Sequence, residues 1–170
     1  MLVGSIGVAI ASAALGFEIG KRSANRTQFE FALNRAPDGL ETKLSVINRE
    51  TDIYKKLEVI EAHILSNDWI DRLGGILVCF SELETFLSQA ILLSETKHGR
   101  VPRSYFRKIN RLKDARVITA IEHDLLRKIN PVRNALVHGR YTSVSEADID
   151  AVFVVIKTLF VNHIGSRGAS

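Results

Sequence analysis

Residues 116–139 read RVITAIEHDLLRKINPVRNALVHG, and this stretch decides the fold. Ile118, Ile121, Leu125 and Ile129 recur at three- to four-residue spacing, which predicts one apolar face of a helix from about Arg116 to Ile129. Asn130-Pro131 restarts or kinks that helix, with Asn130 as cap and Pro131 at the first helical position. Val132 and Leu136 carry the stripe on to Gly139, a natural C-terminal stop.

Similar patterns flank it. Trp69 to Leu93 places positions 73, 77, 80, 87 and 91 on one face, with Asp68 as the cap. A short helix is expected from Ser104 to Leu112. A last one, opened by Ser145 and Asp148, spans Glu146 to His163 with Ile149, Phe153, Ile156 and Phe160 inward. Four helices with short links predict an all-α, antiparallel four-helix bundle over residues 68–165, followed by a flexible tail at 166–170. Upstream, Pro37-Asp38-Gly39 is a turn signal. Leu40, Leu44, Ile47, Ile53, Leu57, Ile60 and Ile64 then form a narrow stripe that slips near Thr51. That extra connecting helix, within a polar linker segment of residues 21–67, is expected to lie on the main domain; a coiled-coil stalk is the alternative.

Composition narrows the classes. The 170 residues are 46% hydrophobic and 25% charged, which excludes disorder over most of the length. The lone Cys79 excludes an internal disulfide framework and a Cys-paired zinc site; no metal or other cofactor is expected. The net charge of +4 is unevenly spread. Between Lys97 and Arg140 stand twelve Lys/Arg and three Asp/Glu, so this segment is a candidate polyanion surface.

The first twenty residues stand apart. Leu2 to Phe17 carry no charge; Glu18 follows, then Lys21, Arg22 and Arg26. As a helix, residues 2–19 would be about 27 Å long against a hydrocarbon core of about 30 Å. The expectation is a membrane anchor over 1–20, with the N-terminus outside and the body on the cytoplasmic face. A wholly cytoplasmic protein, with this segment as a buried helix, is the alternative.

The end of the quoted stretch, Arg133-Asn134-x-x-x-His138-Gly139, resembles the signature of the HEPN superfamily: small four-helix-bundle domains carrying Arg-x(4–6)-His, often with Asn after the Arg. The likeness covers roughly residues 69 to 164. It implies a metal-independent endoribonuclease of a toxic or defensive kind. The resemblance further implies attack of a ribose 2′-hydroxyl on the adjacent phosphate at a composite site made by a homodimer, and an inhibitory protein partner that holds such an enzyme in check. The residues themselves suit this chemistry. His138 carries the one imidazole of the motif and suits proton transfer. Arg133 stays charged and can hold phosphate oxygens. Asn134 lies one turn before His138 on the same side. Yet Arg133 and His138 project about 140° apart on a straight helix, so one helix alone does not bring both onto one phosphate.

Glu84 is the only charge on the face formed by positions 73, 77, 80, 84, 87 and 91, so it needs a cationic or hydrogen-bonding partner: it is expected to pair with Arg133 or to reach the catalytic cleft, the alternative being that the face turns outward there and Glu84 is solvated. Glu82, one step off, is expected to be exposed. Arg103, Tyr105, Arg107, Lys108, Arg111, Arg140 and Tyr141 are candidate RNA-binding residues, with Tyr105 and Phe106 available to stack on unpaired bases. Their alternative is a solvated charged face. Cys79 is expected to be an inert, partly buried thiol, and His63, His98, His123 and His163 to be structural or surface residues. Two non-enzymatic readings compete: a HEPN-like module that binds RNA or nucleotides, and a membrane-bound interaction module.

Overall fold

A computed structural model describes residues 37–47, 52–94 and 101–164. The expected anchor at 1–20, the polar residues 21–36, the segment holding Lys97, His98 and Arg100, and the 166–170 tail lie outside the described residues. Among the described residues there are six α-helices, one 3-10 turn and no strand. The helices are α1 (Leu40–Ile47), α2 (Ile53–Ile64), α3 (Trp69–Ser94), α4 (Tyr105–Asp114), α5 (Ala120–Val137) and α6 (Glu146–Ile164).

The helix ends follow from local chemistry. Asp52 caps α2 by accepting from the N–H groups of Tyr54 and Lys55, each at 3.0 Å. This cap is where the apolar repeat slips. Asp68 Oδ1 accepts from the Ile70 N–H at 2.9 Å and opens α3. Ser145 and Asp148 form a reciprocal cap on α6: the Asp148 N–H donates to Ser145 Oγ at 3.1 Å and the Ser145 N–H to Asp148 Oδ2 at 2.9 Å.

Helix α3 is the hub, touching α1, α2, α4 and α6. Its buried residues run almost without a break from Arg72 to Ile91, wider than the single face expected, because neighbours cover it on several sides. It is the one described helix long and apolar enough to cross a membrane, and its place at the centre of the other helices accounts for the same composition. Gly74 and Gly75 permit the close approach. A Cβ on Gly74 would lie 3.2 Å from Lys43 Cβ in α1; one on Gly75 would lie 3.0 Å from Ile64 Cγ1 and 3.2 Å from the Ile60 carbonyl oxygen in α2. Helices α1 and α2 thus bury Leu40, Ile47, Leu57, Ile60 and Ile64 in the same core as the later helices. Both helices lie on the main domain, as expected of the connecting helix, and share its core.

Helix α5 departs from the sequence reading in three ways. It begins at Ala120, where Thr119 and Glu122 cap each other, and not at Arg116, which follows the end of α4 with a φ of 56°. It runs through Pro131 without restarting at Asn130. Proline removes one backbone donor, but Ile129, Arg133 and Leu136 on either side are held in the core. Finally, Ile118 is buried from the loop, not from the helix, so a stripe extended from it is rotated by less than one residue's step of about 100°. The buried residues are His123, Leu126, Ile129, Arg133, Ala135 and Leu136, while Ile121 is 73% exposed.

Candidate functional site

The pairing expected of Glu84 is present, and it is more than a pair. Arg133 donates to Glu84 Oε1 through Nε at 2.8 Å and also through Nη2. Lys108 Nζ reaches Glu84 Oε2 at 2.6 Å and donates to Ser88 Oγ at 3.0 Å. The Ser88 hydroxyl in turn donates to the Glu84 carbonyl at 2.7 Å. Glu84, Lys108 and Arg133 are 3%, 6% and 7% exposed, so three charges from α3, α4 and α5 meet away from water. Tyr105 closes the cluster. Its ring lies under the Arg133 guanidinium, 5.0 Å from ring centroid to Cζ, and its hydroxyl donates to the Leu126 carbonyl at 3.0 Å. Burial, reinforced by the Glu84 charge, pushes the Tyr105 hydroxyl well above the usual phenol range, so it remains a proton donor.

The motif is therefore divided between inside and outside. Arg133 lies in the core and His138 is exposed at the end of α5. Asn134 stands between them, half-buried, accepting from Arg133 Nη1 at 3.3 Å. The position of His138 is fixed by the turn that stops the helix. Gly139 takes a φ of 66°, its N–H donates to the Leu136 carbonyl at 3.0 Å, and the Arg140 N–H donates to the Ala135 carbonyl at 2.8 Å. This is the paired hydrogen-bond pattern of a Schellman motif, and it satisfies the last carbonyls of α5.

The residues expected to meet RNA also divide. Arg103, Arg107 and Arg140 are exposed and Arg111 is half-buried. Tyr105, Lys108 and Tyr141 are buried, contrary to a surface role. Tyr105 and Lys108 fall on the face of α4 turned toward α3 and α5, and are taken up by the ion cluster. Tyr141 enters the core from the 3-10 turn Tyr141–Ser143, where burial pushes its hydroxyl up from its ordinary value. Phe106 is the aromatic that stays outside. It is 44% exposed, and the Arg127 guanidinium stands 5.4 Å from its ring centroid. Nothing in the spacing singled out Arg127.

Cys79, Glu82, His123, His63 and His163 are taken up by packing or by partners within the fold. Cys79 is wholly rather than partly buried, and burial pushes its thiol far up, which leaves it inert. Glu82 is half-buried and pairs with Lys56 Nζ at 2.9 Å. His123 is buried with Nε2 at 2.8 Å from Asn110 Oδ1. His63 Nδ1 lies 2.9 Å from the Val59 carbonyl. His163 Nε2 lies 3.0 Å from Glu122 Oε1. Among the described residues no group of three or more His, Cys, Asp or Glu is placed to hold a metal ion.

Over the described residues, fold and site define an all-helical domain locked by a buried acid between two cations, with His138 exposed at the end of the same helix. Compared with known protein families, with curated proteins and with solved structures, the chain matches none of them.

Proposed function

We propose that the chain is a HEPN-like four-helix-bundle domain that cleaves RNA without a metal, acting in pairs of copies. The observation that carries this reading is the exposed His138, whose backbone the Gly139 turn fixes at the end of a helix that Glu84 holds to the core through Arg133. In the proposed step His138 takes the proton of a ribose 2′-hydroxyl. The 2′-oxygen bonds to the neighbouring phosphorus and the bond from phosphorus to the 5′-oxygen breaks. That oxygen leaves with a proton from a second imidazole supplied by another copy. The products are a 2′,3′-cyclic phosphate and a free 5′-hydroxyl. Arg133, already neutralised by Glu84, acts as a positioning residue. Arg140, exposed two residues beyond His138, is the cation disposed to meet the phosphate.

A second reading has its own support. Because the motif arginine is 7% exposed and bonded to a carboxylate, it favours a HEPN-like module that binds RNA without cutting it. One variant separates the two. His138→Ala loses cleavage in the presence of a chelator and keeps RNA affinity if the domain is an enzyme. A wild-type dimer that binds RNA and never cuts it supports the module. We further infer, from the charge-free run Leu2 to Phe17 and from Lys21, Arg22 and Arg26 beyond it, that residues 2–19, with Glu18 near their end, tether the domain to the cytoplasmic face of a membrane. Recovery of the intact chain in the soluble fraction overturns the tether. An inhibitory protein partner belongs to the same proposal.

A further inference from the structure

We infer that the outer face of α5, beginning at the Phe106–Arg127 pair and ending at His138, is a docking track for single-stranded RNA. The inference deepens the RNA-cleaving reading above and rests on it. Its geometry follows from the helix. At about 100° per residue, Arg127, Pro131, Asn134 and His138 fall within about 60° of one another, on the side opposite Leu126, Ile129, Arg133 and Leu136. The first and last are roughly 16 Å apart along the axis at about 1.5 Å per residue. Arg127, Pro131 and His138 are exposed and Asn134 is half-buried.

The two ends differ in chemistry. At the His138 end stand the imidazole and Arg140. At the other end the Phe106 ring, from α4, is 44% exposed with the Arg127 guanidinium against it. An exposed aromatic beside a guanidinium offers a platform on which an unpaired base can stack, whatever its identity. Arg103 and Arg107, close to Phe106 in sequence, and Lys128, next to Arg127, are exposed. Two acids lie on α5. Glu122 is turned to the Thr119 cap and to His163, and exposed Asp124 lies 3.3 Å from His123 Nδ1. The cationic excess of the 97–140 segment is complementary to a phosphate chain, and the aromatic selects for bases free of a partner strand. Duplex RNA presents no free base face, so the occupant is a single strand.

The test uses the full chain carrying His138→Ala, so that no strand is cut, and a fluorescently labelled, unstructured twelve-nucleotide RNA. Binding is read by anisotropy over a salt series. Adding Phe106→Ala weakens binding at least about fivefold, the loss expected for one stacked base, with the salt slope unchanged. Phe106→Trp restores it. Arg127→Gln lowers the slope of log affinity against log salt by about 0.7, the share of one phosphate contact on a single strand. Lys55→Gln, an exposed cation on α2, changes neither. The same RNA as a duplex binds more weakly than the single strand. Phe106→Ala within twofold of its parent, or a duplex bound as tightly as the single strand, overturns the track. If those results come while wild-type protein still cuts RNA through His138, the track is wrong and the cleavage reading stands. If binding follows the expected pattern and nothing is ever cut, the track stands and the cleavage reading falls. No binding of the single strand overturns both.

Discussion

Glu84→Gln removes one charge and almost no volume, and it tests the ion cluster directly. The carboxylate faces Arg133 on one oxygen and Lys108 on the other, and all three side chains are more than nine-tenths buried. Solvent screening, which reduces most ion pairs to little, therefore does not apply. A neutral amide leaves two cations in the core with no carboxylate between them. Its nitrogen, a donor, must also face one of them. Breaking a buried ion pair by removing one partner costs about 3–5 kcal/mol. That is a large share of the roughly 5–15 kcal/mol typical of a domain, so the variant should be close to unfolding at 37 °C. Urea denaturation followed by far-ultraviolet circular dichroism measures it: the midpoint falls by the amount the free energy requires and the slope stays the same. Replacing all three charges with apolar residues of similar size, Glu84→Leu, Lys108→Leu and Arg133→Met, should cost less than Glu84→Gln alone, since no charge is stranded. A Glu84→Gln loss below about 1 kcal/mol would refute the reasoning, because the cluster would then have to be hydrated.

Two further predictions concern the scaffold. Gly75→Ala should destabilise by about 1–3 kcal/mol in the same urea assay, because the new methyl meets the Ile60 carbonyl, which cannot swing away as a side-chain end would. Acid should also weaken the fold through its caps. The Ser145 hydroxyl and N–H hold the Asp148 carboxyl below its ordinary value of 3.8. Burial alone would lift the Glu122 carboxyl, but the Thr119 N–H, the His163 charge and the Asn162 amide outweigh it and hold it low. Carboxyls depressed in the folded state contribute stability above their unfolded pKa, and lose it as pH falls through the folded one. Melting temperature should therefore decline below about pH 4, and Asp148→Asn should flatten that decline.

Much of the molecule is legible in its residues. Glu84 is marked as a partner-seeking group by being the one charge in an apolar row, and Arg133 is its partner. Gly139 and the Ser145–Asp148 pair end and open helices by chemistry that is local to them. What escapes the sequence is what depends on which helices touch. Lys108 and Tyr105 sit in a run of basic residues that reads as an RNA-binding surface or a solvated face, exposed in either case. Only the contact of α4 with α3 and α5 turns two of its positions inward while leaving Phe106 outside. Helix contact likewise conceals the need for Gly74 and Gly75, which no periodicity announces. Pro131 reads as a break because the anchoring of α5 on both sides of it is tertiary. Ile118 misleads because a residue buried from a loop obeys no helical period.

The proposed cleavage is attack by a ribose hydroxyl under the control of an exposed imidazole. The direct measurement uses the wild-type full chain with a chelator present, offered a single-stranded RNA and the same strand with one 2′-hydroxyl replaced by hydrogen at a cut position. The expected result is RNA cut to 2′,3′-cyclic phosphate and 5′-hydroxyl ends, with the modified linkage left whole. Cleavage at the modified linkage, or ends carrying a 5′-phosphate, would contradict it.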